Sequence, residues 1–235
     1  MKMESKKYDK KNDMQKKQLV IIGAGGFARE VLWLVEDINN NGNRWEILGL
    51  IDEDPGKKGV IVNDFPILGD LHWFEGISSN LNVVFAVGNP KGRKKLVDQC
   101  IEFPNLEFPN LIHPSTRICK HICIGKGNII CKSTILTTNI RMGDFNIINL
   151  NCTVGHDVVI KDFCTVAPGV NISGKVTLNS GCDLGTNTCI IQEKTIGEWA
   201  TIGAGSVVIR DIEPRCTAVG VPAKIIKRYS EEGIL

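Results

Sequence analysis

Between Ile118 and Val208 an aliphatic residue occupies every sixth position without a miss. The series runs Ile118, Ile124, Ile130, Leu136, Met142, Ile148, Val154, Ile160, Val166, Ile172, Leu178, Leu184, Ile190, Ile196, Ile202, Val208. A period of six matches neither the 3.6-residue turn of an amphipathic helix nor the two-residue alternation of a half-buried strand. A fixed period of this kind marks stacked identical units, and the hexapeptide form predicts a β-helix. Each hexad supplies one short flat side of a triangular coil. Three hexads complete a turn, so sixteen positions give roughly five coils.

The neighbouring columns agree with this reading. Two residues before the aliphatic lies a second inward column of small or β-branched residues, among them Thr134, Cys152, Val158, Cys164, Val170, Val176, Cys182, Thr188, Ala200 and Ser206. Directly after the aliphatic, Gly, Ala, Ser or Asn is frequent, as at Gly125, Gly143, Asn149, Gly155, Ala167, Gly185 and Gly203. These residues are expected to take left-handed backbone angles at the corners. Asn128, Asn146 and Lys194 interrupt the small column, as ladder sites or as places where a coil loosens.

Before residue 110 the pattern changes. Gln18–Ile22 is an apolar run of strand length that enters Gly23-Ala24-Gly25-Gly26, and Phe27 to Asn39 has helical apolar spacing. Strand, glycine turn and helix open a nucleotide-binding α/β unit, in which glycines let the backbone approach a phosphate at the helix N-terminus. Ile47–Ile51 predicts a second strand ending in Asp52-Glu53, placed for a ribose or base. Val83–Val87 predicts a third, followed by Gly88-Asn89 and a helix from Lys91 to about Cys100. Ala28 stands where the third glycine of a dinucleotide fingerprint would be, and the region is too short for two mononucleotide halves. A mononucleotide or nucleotide sugar fits better, the alternative being a Rossmann-like unit that binds nothing. Phe103 to Pro114, with three prolines, reads as a linker.

Composition adds limits. The formal net charge of +2 predicts neither a nucleic-acid nor a membrane partner. No apolar run reaches the ~20 residues of a spanning helix. Met1 to Lys17 is basic and polar without an apolar core, which predicts a solvated disordered tail and no secretory signal. The nine cysteines form no CxxC pair and read as reduced thiols of a cytoplasmic protein; no metal site is expected. The organisation expected is a basic tail at 1–17, a Rossmann-like domain at 18–109, and a left-handed parallel β-helix with a C-terminal extension at 110–235.

Ile22-Gly-Ala-Gly-Gly-Phe27, Ile51-Asp-Glu53, Ala86-Val-Gly-Asn89, Asn110-Leu-Ile-His-Pro114, Asn149 to Asp157 and Gly220-Val-Pro-Ala-Lys224 occur in this order. Together they resemble the nucleotide-sugar N-acetyltransferases that act on 4-amino sugars and the related sialic acid O-acetyltransferases, over about residues 18 to 227. The resemblance implies that the N-terminal domain holds the nucleotide sugar, with Gly25, Gly26, Phe27, Asp52, Glu53, Gly88 and Asn149 at that substrate. It implies a homotrimer with acetyl-CoA in the groove between subunits, near Thr165, Gly174, Thr186, Ala204 and Lys224. It further implies that a histidine followed by an acid, here His156-Asp157, deprotonates the sugar amine.

The residues themselves agree on one point. Val154 is inward, so His156 two positions later faces outward near a corner, where an imidazole can act as a base. A neutral amine attacks a thioester directly, so no cysteine nucleophile is needed. One position departs from the pattern: Thr165 stands nine residues after His156, where relatives often carry a second histidine. A threonine hydroxyl there could donate to a developing oxyanion. His113 reads as structural, and His121 as lying in an early coil away from the groove. Two alternatives stay open: O-acetylation of a sialic-acid-type sugar, and a non-catalytic β-helix scaffold.

Overall fold

The computed structural model describes residues 16–42 and 44–230. The tail expectation over residues 1–15 therefore lies outside the described residues, and Lys17 already belongs to the first strand.

The N-terminal elements are β1 (Lys17–Ile22), α1 (Gly26–Asn40), β2 (Trp45–Ile51), β3 (Ile61–Val62), β4 (Phe65–Gly69), β5 (Leu81–Phe85), α2 (Pro90–Cys100) and β6 (Leu106–Glu107). They form one sheet in the order β3-β4-β2-β1-β5-β6, parallel except for the β3–β4 hairpin. The strand order reverses at β1, which pairs with β2 on one side and β5 on the other. The loops leaving β1 and β5 consequently diverge and open a crevice at the carboxyl ends of the strands. β1 and β5 are buried on both faces, as their continuous aliphatic runs require. The Pro-rich stretch is not a bare linker: it supplies β6 to this sheet and β7 (Leu111–Ile112) to the next body.

From β7 onward the chain winds a left-handed parallel β-helix with three faces. Strands pair at a spacing of eighteen residues, as in Ile148↔Val166, Val166↔Leu184 and Leu184↔Ile202. The first face begins at β7 and ends with a C-terminal hairpin, Cys216–Val219 and Lys224–Arg228. The second carries Thr153–Val154, and the third Arg141–Met142. The inward aliphatic is the second residue of each two-residue strand. From Ile130 to Val208 every member of the series is buried, whereas Ile118 is 38% exposed because no complete coil lies beneath it. Each buried Ile, Leu or Val contributes roughly 1.5–3 kcal/mol relative to exposure.

The small column is inward too. Cys152, Cys164 and Cys182 are wholly buried, and burial pushes the Cys152 thiol up to about 11, which leaves it inert as a nucleophile. Asn128 and Asn146 form a ladder. Asn110 Oδ1 accepts from Asn128 N (2.8 Å), Asn128 Oδ1 from Asn146 N (2.8 Å), and Asn146 Oδ1 from Cys164 N (2.7 Å).

The left-handed corner residues are not where the sequence reading put them. Positive φ falls three residues after the inward aliphatic, at Asn139, Phe145, Asn151, Asp157, Phe163 and Lys175. The glycines directly after the aliphatic serve close stacking instead. A Cβ on Gly155 would lie 2.6 Å from Gly174 N, and one on Gly185 2.5 Å from Ala204 N.

The two bodies share an apolar cluster in which α1 packs on Leu111, Ile129, Cys131 and Ile147 of the coil, and polar and aromatic contacts join them as well. Phe145 and Phe163 stack with ring centroids 5.5 Å apart, and Phe85 and Phe108 of the sheet region pack on Phe145. Phe145 and Phe163 hold φ of 54° and 61°, a conformation that disfavours a bulky side chain by roughly 1–2 kcal/mol, offset by burial in this cluster. Arg93 is 1% exposed and reaches from α2 into the coil. Asp37 of α1 accepts from His113 Nε2 (2.9 Å) and Lys132 Nζ (3.1 Å), which makes His113 a joint residue.

The hydrogen bond from His113, then that from Lys132, holds the Asp37 carboxyl below the ordinary carboxylate range, against the opposing effect of burial. A lowered folded-state pKa adds stability that is complete above the unfolded value and is lost as pH falls through the folded one. Melting temperature measured between about pH 6 and pH 3 is therefore expected to fall further in the wild type than in Asp37→Asn.

Candidate functional site

His156 and Asp157 follow the strand Thr153–Val154 and turn the corner between the second and third faces. Inward Val154 sends His156 outward, and the left-handed φ of 60° at Asp157 folds its side chain back along the corner. His156 Nδ1 lies 2.7 Å from Asp157 Oδ2, with side chains 59% and 43% exposed. Asn139, one coil below, donates from Nδ2 to Asp157 Oδ1 at 3.2 Å. The hydrogen bond from His156 first, and that from Asn139 second, keep the Asp157 carboxyl below its usual range, so it is an anion at neutral pH. The contact with an anionic partner assigns Nδ1 as the donor to Asp157 and leaves Nε2 as the ring nitrogen outside the pair.

Gly174 stands one coil above His156. A Cβ built there would lie 2.5 Å from His156 Nε2 and 2.6 Å from Cε1, so the imidazole rests on a surface only glycine provides. The resemblance placed Gly174 at the coenzyme; its direct contact in the chain is this ring.

A hollow of about 570 Å³ adjoins the pair, lined by Lys120, His121, Cys123, Asn139, Arg141, Asp157 and Val159. His121 stands in the same corner column as Asp157, two coils below it, and lines the same hollow. Lys120 and Arg141 give this hollow a basic rim that the sequence reading missed. The signal was present, since Cys123, Arg141 and Val159 share one eighteen-residue column.

The crevice of the N-terminal sheet holds about 360 Å³ and is lined by Ile22, Gly23, Ile51, Asp52, Glu53, Val87, Gly92, Lys95 and Leu96. It joins the ends of β1, β2 and β5. Gly23 lines the crevice and Gly25 follows it in the turn after β1, and the two glycines differ in kind. Gly23 has φ of +108°, and a Cβ there would meet Ala86 O at 2.8 Å, so the fold demands it. Gly25 caps α1 with φ of −82°, and a Cβ would meet nothing within 4 Å. Gly26 and Phe27 begin α1 beside it. Gly25→Ala is accordingly expected to keep the wild-type melting temperature while weakening nucleotide-sugar binding, read by calorimetry. Equal affinity in the variant would remove Gly25 from the site.

Asp52 is already engaged: its Oδ1 accepts from Lys57 Nζ (3.0 Å) and Asp54 N (3.0 Å). Glu53 is exposed and borders a second hollow of about 520 Å³, where Glu53, Asp70, Glu75 and Glu102 line the wall with no lysine or arginine among the lining residues, which disfavours phosphates. Lys95 makes the smaller crevice the better anion site.

Other candidates stand apart from these two places. Asn149 Oδ1 accepts from its neighbour Leu150 N at 2.7 Å and does not reach the crevice, because this corner closes on its own backbone. Thr186 and exposed Ala204 stack at the corner between the first and second faces, not at the His156 corner. Six residues of chain separate those corner columns, a span of at most ~20 Å. Lys224 opens the final strand and is exposed. Thr165 is 8% exposed, and its hydroxyl donates to Gly88 O at 2.6 Å while accepting from Arg93 Nη1 at 3.0 Å. Its single proton is used, which corrects the expectation that it could donate to an oxyanion.

Comparison with known proteins locates this arrangement. The PglD N-terminal domain profile matches residues 18–100. WeeI from Acinetobacter baumannii AYE is 30% identical, with a TM-score of 0.80 covering 90% of this chain and 100% of that one. A variant of the perosamine N-acetyltransferase from Caulobacter crescentus, solved in complex with CoA and GDP-perosamine, is 28% identical with a TM-score of 0.78, covering 89% and 97% of the two chains. Curated relatives match only locally: the mitochondrial serine acetyltransferase 3 of Arabidopsis thaliana is 54% identical over 39 residues, 17% of this chain and 10% of that protein. With both halves matched in order along a relative's whole length, the chain belongs to the hexapeptide-repeat nucleotide-sugar N-acetyltransferase family.

Proposed function

We propose that this protein transfers acetyl from acetyl-CoA to the 4-amino group of a nucleotide-linked 4-amino-4,6-dideoxysugar, with His156 as general base. The observation that carries this reading is the His156–Asp157 pair on its glycine seat, with Asp157 engaging Nδ1 and Nε2 left outside the pair. His156 Nε2 takes the proton as the amine forms its bond to the thioester carbon. The C–S bond then breaks, and the same proton passes from His156 to the leaving thiolate. Asp157 holds the ring and balances the imidazolium charge while it exists. A buried thiol such as Cys152 offers no competing route through an acyl-enzyme.

The nucleotide is assigned to the crevice between the ends of β1 and β5, with Gly25, Gly88 and Lys95 on its phosphates. The acetyl donor is assigned to the small, exposed wall of Thr186 and Ala204, with Lys224 reaching a coenzyme phosphate. That wall and His156 occupy different corners of one chain, which supports a site shared between copies. Cyclic symmetry of three would close three identical sites.

Coenzyme release measured over a panel of UDP-, dTDP- and GDP-linked amino sugars, with sialic acid included, tests the assignment. Turnover confined to nucleotide-linked amino sugars is expected. Turnover on sialic acid alone would overturn the amine acceptor, and turnover on none would overturn the enzyme.

A further inference from the structure

Arg93 is the largest wholly buried side chain among the described residues, and no carboxylate is bonded to it. Its guanidinium makes six hydrogen bonds. Nε donates to Phe145 O (2.9 Å); Nη1 to Val87 O (2.7 Å), Gly88 O (3.1 Å) and Thr165 Oγ1 (3.0 Å); Nη2 to Phe163 O (2.8 Å) and Cys164 O (3.1 Å). Burial holds its pKa down to about 10, so it remains a cation at neutral pH. Five donors in a fixed fork thus span two coils of the β-helix and the loop that follows β5.

The loop carbonyls matter for what lies across their peptide planes. In a trans peptide the C=O and the next N–H point in opposite directions. Turning Val87 O and Gly88 O towards Arg93 and Thr165 therefore turns the N–H groups of Gly88 and Asn89 away from the coil. Among the described residues neither N–H has an acceptor. A Cβ on Gly88 would meet nothing within 4 Å, so the space beside it is open. Val87 and Gly92, on either side of these amides, line the nucleotide crevice.

We propose that Arg93 and Thr165 are positioning residues. They hold the Gly88 and Asn89 amides as phosphate donors for the nucleotide sugar and lock that crevice in register with the coil. This rests on the acetyltransferase reading above. Thr165 is thereby assigned to the acceptor side of the reaction, although its place in the repeat suggested the thioester.

Thr165→Val removes the hydroxyl and keeps the β-branched shape; Arg93→Lys keeps the charge and removes the fork. In Thr165→Val the KM for the nucleotide sugar is expected to rise about tenfold, the effect of one buried hydrogen bond, with the KM for acetyl-CoA unchanged. Arg93→Lys is expected to do the same more strongly. If that variant fails to fold, Thr165→Val alone decides. Amide hydrogen exchange at residues 88–89 is expected to quicken, a readout that needs no activity. A raised KM for acetyl-CoA with an unchanged nucleotide-sugar KM would overturn the proposal, and so would unchanged exchange at 88–89. Wild-type protein inactive on every nucleotide sugar would instead strike the acetyltransferase reading, and the exchange result would still judge the loop.

Discussion

His156→Ala is expected to turn over ~10²–10⁴-fold more slowly than the wild type while keeping its melting temperature and oligomeric mass. The side chain is 59% exposed, and its bond to Asp157 is an exposed one, so the fold loses little. The chemistry is expected to lose the one imidazole that, among the described residues, meets a carboxylate at an open corner of the β-helix; His72, paired with Glu75, lies in the N-terminal domain. His113 cannot substitute, being buried between Asp37 and Ser115. Steady-state coenzyme release, with mass and melting measured on the same sample, checks this. Near-normal turnover in a correctly assembled His156→Ala protein would remove the general base from the mechanism.

Gly174→Ala is expected to cost about as much as a misplaced base does, roughly 10²-fold in turnover, again with the fold intact. No left-handed angle demands glycine at 174, and the three atoms nearest a Cβ there all belong to the His156 ring, Nε2 at 2.5 Å, Cε1 at 2.6 Å and Cδ2 at 2.9 Å. The ring swings away more readily than the coil deforms, so the variant folds with its imidazole displaced. Because Asp157 holds Nδ1, the swing also stretches that 2.7 Å contact. The predicted signature is a lowered kcat with little change in the KM for the nucleotide sugar. A variant with unaltered kcat would show that the seat does not orient the ring.

Much of the site's logic was visible at the level of single residues. His156 reads as outward because it falls in the corner between two inward positions of the repeat, Val154 and Val158, where the strand has already ended. What lies above it was not visible. Gly174 entered the sequence reading only through resemblance, since a contact across eighteen residues depends on the coil's pitch. The left-handed column was misplaced for a related reason. Glycine is the ordinary marker of positive φ, but Phe145, Phe163 and Trp199 hold it here, while many corner glycines answer to the crowding of the next coil. Arg93 left no mark at all, because a cation in a short amphipathic helix normally faces water.

The sequence by itself determined the β-helix, its eighteen-residue turn and its two inward columns, because a hexad of fixed phase admits one register and burying its aliphatics leaves one way to stack. It also determined the opening strand–turn–helix unit, through local backbone chemistry. Only the tertiary structure decided which outward groups meet. Thr165 faces Gly88 and Arg93 across 77 and 72 residues of sequence. The acidic hollow and the crevice share Glu53, yet only the crevice has a lysine, Lys95, in its lining. Those pairings follow from how one rigid body docks on another, a geometry set by the phenylalanine cluster and the Arg93 fork, and no local periodicity encodes it.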